Sequence, residues 1–185
     1  MEVEVLERSL TEVATPLLVV NLFEGVQEPG GATGAVDQAL GGLVRRLIAA
    51  GEIAGRLGEV TVVHVPPGTA ELAAERVAVV GLGSRERFDA EAVRVAAAVA
   101  ARKAQELRLP AFATVLHGAG AGGLDPSESA RAIVEASILA TNREFSRYWT
   151  DPGRRPTPVE RLLLVERDAT RAAVVRAAAR LGRIA

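Results

Sequence analysis

A chain of 185 residues, 49% hydrophobic and 24% charged, has the size and balance of one soluble domain with a sizeable core. The absence of cysteine excludes disulfides and thiolate metal sites, and aromatics at 3% leave the core to Val, Leu, Ile and Ala. The net charge of −1 hides an asymmetry: from Arg143 onward ten arginines face five acids, a net +5 that leaves −6 for the first 142 residues.

Residues 1–8 do not resemble a signal peptide, and no apolar run approaches the ~20 residues of a membrane span. A cytoplasmic protein with no membrane partner is expected. Residues 2–8 alternate, with Val3 and Val5 on one face, and read as a strand. Thr15-Pro16 interrupts the chain, and residues 17–23 form a second, more buried strand. Glycines and a proline mark 24–34 as a loop. Val36, Leu40, Leu43, Val44, Leu47 and Ile48 then fall at helical spacing, which predicts one helix over 35–49. Gly41-Gly42 inside it costs roughly 1 kcal/mol per glycine relative to alanine.

Residues 59–65 are a β-branched strand closed by Pro66-Pro67-Gly68. The organising stretch comes next: Arg76-Val77-Ala78-Val79-Val80 runs into Gly81-Leu82-Gly83. A strand so apolar is covered on both faces, which puts it in the middle of a sheet. Asp89 is placed to cap a long alanine-rich helix ending before Pro110. Residues 111–116 are a strand, leading to His117 and a glycine-rich loop through Gly123. Asp125-Pro126-Ser127-Glu128 has the form of a capping box with proline at the first helical position. Ile133, Val134, Ser137, Ile138 and Thr141 are expected inward on that helix. Residues 152–158 read as a loop and 161–166 as a strand, and Asp168 caps a last helix with Val174, Ala178 and Leu181 inward. The order β-β-α-β-β-α-β-α-β-α predicts an α/β fold with a mixed, mostly parallel sheet between helical layers.

The chemistry-bearing motifs are sparse. Gly81-Leu82-Gly83 is half of a dinucleotide fingerprint, but Glu86 stands where the third glycine belongs, so a tight turn is the plainer reading. The glycines after His117 offer an anion-binding loop without the Lys-Ser/Thr ending of a P-loop, or simply a surface loop. His64 and His117 are the only histidines, too few for a metal cluster, and are read as hydrogen-bonded structural residues. Tyr148-Trp149 are candidates to anchor a domain or subunit contact, or ordinary packing. The basic C-terminal segment is either a solvated helix face or a surface for nucleic acid or an acidic partner. No catalytic, cofactor-binding or metal-binding residue emerges.

Three segments together resemble the N-terminal domain of the leucyl aminopeptidase (cytosol aminopeptidase) family. Leu40-Gly41-Gly42 followed by Gly51-Glu52-Ile53-Ala54-Gly55-Arg56-Leu57-Gly58-Glu59 is similar to the family's "Gly-Asp-Phe-x-Gly-Lys-x-Gly-Glu". Val80-Gly81-Leu82-Gly83 is similar to its strand ending "Val-Gly-Leu-Gly". Glu135-Ala136-Ser137-Ile138-Leu139-Ala140-Thr141, with Phe145 and Tyr148 beyond, resembles its "Glu-Gly-x-x-Leu-Ala-x-Tyr-x-Phe-x-x-Tyr-Lys", with Asn142 for the first tyrosine and Trp149 for the lysine. The resemblance implies a three-layer α/β/α domain similar to macro domains, which bind ADP-ribose. It implies a parent whose peptidase chemistry lies in a separate C-terminal domain. Two divalent metal ions (zinc or manganese) are held there by Asp, Glu and Lys, including an "Asn-Thr-Asp-Ala-Glu-Gly-Arg" motif absent from this chain. Residues 1–185 are then a non-catalytic N-terminal domain, 168–185 begin a linker helix, and the parent forms a homo-hexamer acting on peptides. Two alternatives remain: a stand-alone macro-like module holding ADP-ribose or a related nucleotide near Gly81-Leu82-Gly83 and 118–123, or a DNA-contacting domain.

Overall fold

Six of the apolar runs form strands: β1 (Glu2–Leu6), β2 (Leu18–Leu22), β3 (Val60–His64), β4 (Arg76–Gly81), β5 (Ala111–Val115) and β6 (Arg161–Val165). The structure, a computed structural model, describes residues 1–69, 71–120, 122–142 and 157–183. The strands make one sheet in the order β1-β6-β5-β2-β4-β3. All neighbours are parallel except β3, which runs antiparallel along β4 at the edge. Parallel strands need crossovers, and helices supply them. β4 is interior but sits one strand from the edge, because the hairpin partner β3 occupies its outer side; the middle belongs to β5 and β2.

Strand alternation sorts the core into two layers. Leu17, Val19, Ala78, Val80, Phe112, Leu162 and Leu164 meet α3 (Ala90–Glu106), α4 (Pro126–Ala140) and α5 (Ala169–Gly182). Leu18, Val20, Leu22, Val77, Val79, Leu163 and Val165 meet α1 (Gly31–Ala39) and α2 (Leu43–Ala49). The result is the expected α/β/α sandwich. Alanines at 96, 97, 100, 101 and 104 are all buried, so α3 can lie close to α4 with little side-chain bulk between them.

The single helix expected over 35–49 is two helices. Gly41 and Gly42 have φ of 62° and 80°, a left-handed turn that stops α1. Gly42 has no side chain to cap α2, and the buried Asp37 does so from α1. Its carboxylate accepts from the Arg45 amide at 3.0 Å and pairs with the Arg45 guanidinium at 3.3 Å. The other caps behave as expected: Asp89 accepts from the Ala92 amide, Asp125 from Ser127 and Glu128, and Asp168 from Arg171. Among the described residues the Glu128 carboxylate accepts no bond from the Asp125 amide, so the capping box is one-sided. The Ser127 hydroxyl, with the two amides, holds the Asp125 carboxyl below its ordinary range. On α5 the expectation holds for Ala178 alone: Val174 and Leu181 are 48% and 58% exposed, and Ala172, Val175, Ala179 and Gly182 face the core beside Ala178.

Candidate functional site

β2 and β5 are neighbours, but the chain leaves them in opposite directions. From β2 it passes through α1 and α2 toward β3 and β4; from β5 it passes through α4 to β6 on the other side. Such a switch point opens a crevice beyond the strands' carboxyl ends. The paired register covers only Leu18 with Ala113 and Val19 with Thr114. Past it lies a cleft of about 370 Å³, bordered by Asn21, Phe23, Thr33, Arg85 and the glycines of the loop after β5.

His117 holds the parting strand ends together from behind. It is fully buried, with Nδ1 3.1 Å from Asn21 Nδ2 and Nε2 3.4 Å from Thr114 Oγ1. The Asn21 amide nitrogen can only donate, so Nδ1 is the acceptor and the ring proton lies on Nε2. Ser129 Oγ of α4 donates to the His117 carbonyl at 2.9 Å. Burial pushes the imidazole down to about 4. A neutral imidazole with both nitrogens engaged is a structural tie, as the sequence suggested. His64 differs: it ends β3 on an exposed surface with no side-chain hydrogen bond among the described residues.

The cleft's two walls present backbone donors. The first three amides of α1 have no intrahelical partner, and its N-cap Gly30 brings no side chain. The Thr33 hydroxyl fixes that first turn to the Asn21 carbonyl at 2.6 Å. Opposite, the amides of Gly118, Ala119 and Gly120 make no hydrogen bond among the described residues. The Phe88 ring lies flush on Gly118, where a Cβ would overlap it. Phe23 meets Phe88 edge to face at 5.0 Å, and the Arg85 guanidinium stacks 4.7 Å above Phe23. Amides on both walls and a guanidinium at the rim suit an oxyanion. Glu28, also at the cleft, is paired with Arg45 at 3.2 Å.

The other glycine corner has no donors to offer. Gly81 donates to the Glu59 carbonyl, Leu82 to Leu22 and Gly83 to Gly55, each at 2.9 Å. A Cβ on Gly81 would overlap the Arg56 carbonyl. The facing loop is itself closed by Glu59, whose carboxylate accepts from the amides of Ala54, Gly55 and Arg56 at 2.9, 2.7 and 3.3 Å. Gly81-Leu82-Gly83 is therefore a packed seam, in keeping with the tight turn read from the sequence, and its three amides are already engaged. Sequence reading found the loop after His117 and missed Asn21, Phe23, Thr33 and Arg85. The signal was available in the glycine-rich stretch directly after the buried second strand, once β2 is known to adjoin β5.

Among the described residues, no three His, Asp or Glu side chains gather as a metal site, so these residues do not fit a two-metal centre. No described helix is long and apolar enough to cross a membrane. Tyr148 and Trp149 lie outside the described residues, as do Arg143, Arg147, Arg154 and Arg155. Of the other C-terminal arginines, Arg171 pairs with Glu166 and Arg176 with Glu7.

Comparison with known proteins points one way in sequence and two ways in fold. Residues 19–152 match the family model described as the cytosol aminopeptidase family, N-terminal domain. A probable cytosol aminopeptidase of Trichormus variabilis is 28% identical over 179 residues, 96% of this chain and 35% of that protein. The chain thus spans about a third of that curated relative's length. A variant of tomato leucine aminopeptidase superposes with a TM-score of 0.71 at 15% identity, over 99% of this chain and 36% of that one. A Trypanosoma brucei macrodomain solved with ADP-ribose superposes with a TM-score of 0.69 at 15% identity, over 95% of this chain and 68% of that one. At such identities the structural likeness concerns the fold alone.

Proposed function

Because the chain belongs to the cytosol aminopeptidase family, as its N-terminal domain, we propose that it is the non-catalytic front of a metal-dependent aminopeptidase. The observation that carries this is the confined match: residues 19–152 fit the family's N-terminal domain, and a relative matched over nearly the whole chain is almost three times as long. The parent releases N-terminal residues from peptides in the cytoplasm as a homo-hexamer. Its two divalent ions, zinc or manganese, sit in the C-terminal domain and supply the activated water. No step of that chemistry belongs to the residues described above. The domain serves assembly and access to the catalytic centre, and residues 168–185 lead toward it. The test is the reading frame past codon 185. The proposal expects Asn-Thr-Asp-x-Glu-Gly-Arg downstream; a stop codon there refutes it.

A second reading has one specific observation in its favour. The cleft between β2 and β5 has amides on both walls that make no hydrogen bond among the described residues, in a fold shared with a macrodomain solved in complex with ADP-ribose. On this reading the domain holds ADP-ribose or a related nucleotide, with the diphosphate against 118–120 and the first turn of α1. Calorimetry with ADP-ribose checks it: saturable heat supports the reading, and no heat at millimolar ligand removes it.

A further inference from the structure

Asn21 borders the cleft and is held from two sides. Its main-chain carbonyl accepts from the Thr33 hydroxyl at 2.6 Å, and its side chain meets the buried His117 at 3.1 Å. A one-way run of protons sets which end of that amide faces the ring. The Thr114 hydroxyl donates to the Val115 carbonyl at 3.2 Å, so its oxygen is left to accept from His117 Nε2 at 3.4 Å. With the ring proton on Nε2, Nδ1 only accepts, and Asn21 must present Nδ2 to it. Asn21 Oδ1 then points away from the ring and makes no hydrogen bond among the described residues. Ser137 Oγ is the one side-chain oxygen among the described residues that is buried without a partner. Asn21 Oδ1 is therefore open, and the space beside it is the cleft.

One fixed, neutral acceptor thus stands between two walls of donors. The other side-chain oxygens at the cleft are committed, Thr33 to the Asn21 carbonyl and Glu28 to Arg45. A bare oxyanion uses the donors but meets the lone pairs of Asn21 Oδ1. An anion that also carries a hydroxyl satisfies both. We propose that Asn21, positioned by His117, selects the ligand of this cleft, and that the ligand is a phosphorylated sugar with its phosphate on the wall amides and a hydroxyl on Oδ1. The proposal rests on the second reading above, which used the amides alone and set no demand on the rest of the ligand. A cleft of about 370 Å³ has room for a sugar and its phosphate. His117 lies behind the cleft and acts through Asn21, so it is a positioning residue.

The test compares ribose 5-phosphate with tetrahydrofurfuryl phosphate, which keeps the ring and the phosphate and lacks the ring hydroxyls. Both are titrated into the 185-residue chain and followed by NMR. The sugar phosphate is expected to bind about tenfold tighter. Asn21→Ala is expected to bring the ratio near one while the affinity for tetrahydrofurfuryl phosphate is kept. His117→Leu is expected to do the same through a rotated Asn21 amide. His117→Gln, whose amide can accept from Asn21 and donate to Thr114, is expected to keep the preference. A purely structural role for His117 would weaken both ligands alike and leave the ratio unmoved. If His117→Leu does not fold, the imidazole nitrogen shifts of the unaltered chain decide: a proton on Nε2 is expected, and a proton on Nδ1 overturns the proposal. Equal affinities in the unaltered chain overturn it, as does binding of neither ligand. Saturable heat with ADP-ribose in either case leaves the cleft reading standing, and its absence ends both.

Discussion

Glu59 and His117 show how much one side chain can hold in this molecule. Glu59 closes its loop by accepting three consecutive amides, and that loop carries the oxygen that packs on Gly81. Glu59→Gln keeps the shape and removes the charge, so it is expected to lower stability by about 1–3 kcal/mol. Urea unfolding at neutral pH measures it, and an unchanged midpoint contradicts the role given to the carboxylate. His117 acts through pH. Its folded pKa of about 4 lies below the ordinary value of 6.5, so the unfolded chain binds the proton first as pH falls. The stability tied to its neutral form is complete above about pH 6.5 and is lost as pH falls from there toward 4, about 3 kcal/mol over that interval. His117→Gln is expected to flatten that part of the stability–pH curve, and a slope identical to that of the unaltered protein speaks against it.

At the scale of elements, the two glycine corners look alike in sequence and differ in use. Gly81 is wedged against the Arg56 carbonyl, so Gly81→Ala is expected to cost about 3 kcal/mol or more. Gly120 has open space where a Cβ would go, so Gly120→Ala is expected to change stability by less than about 0.5 kcal/mol. Parallel urea titrations of the two variants decide it; similar losses contradict the division into seam and open wall. The elements themselves were largely legible. Strands, caps and the α/β order follow from periodicity and from Asp89, Asp125 and Asp168. What local pattern could not supply was the partner. Asp37 reaches across from α1 to cap α2, which is why a continuous apolar stripe concealed two helices. The α5 pattern has two apolar sides, and spacing alone does not say which one its own domain buries. The cleft residues escaped for the same reason: Asn21 and Thr33 belong to one stretch of chain and Gly118 to another, and only the adjacency of β2 and β5 joins them.

The molecule as a whole is a six-stranded α/β/α domain of the cytosol aminopeptidase family, built to the same plan as macrodomains. Its described residues hold a structural histidine, packed glycine seams and a donor-lined cleft, but no gathering of metal ligands. On the proposed reading, peptide hydrolysis belongs to a C-terminal catalytic domain of a longer protein. Hydrolysis of a leucine chromogenic amide, with zinc or manganese added and then chelated, is the most direct test. The full-length protein is expected to release the chromophore, to lose that activity with chelator, and to owe none of it to residues 1–185 purified alone. Metal-dependent turnover by the 185-residue chain itself would contradict the assignment.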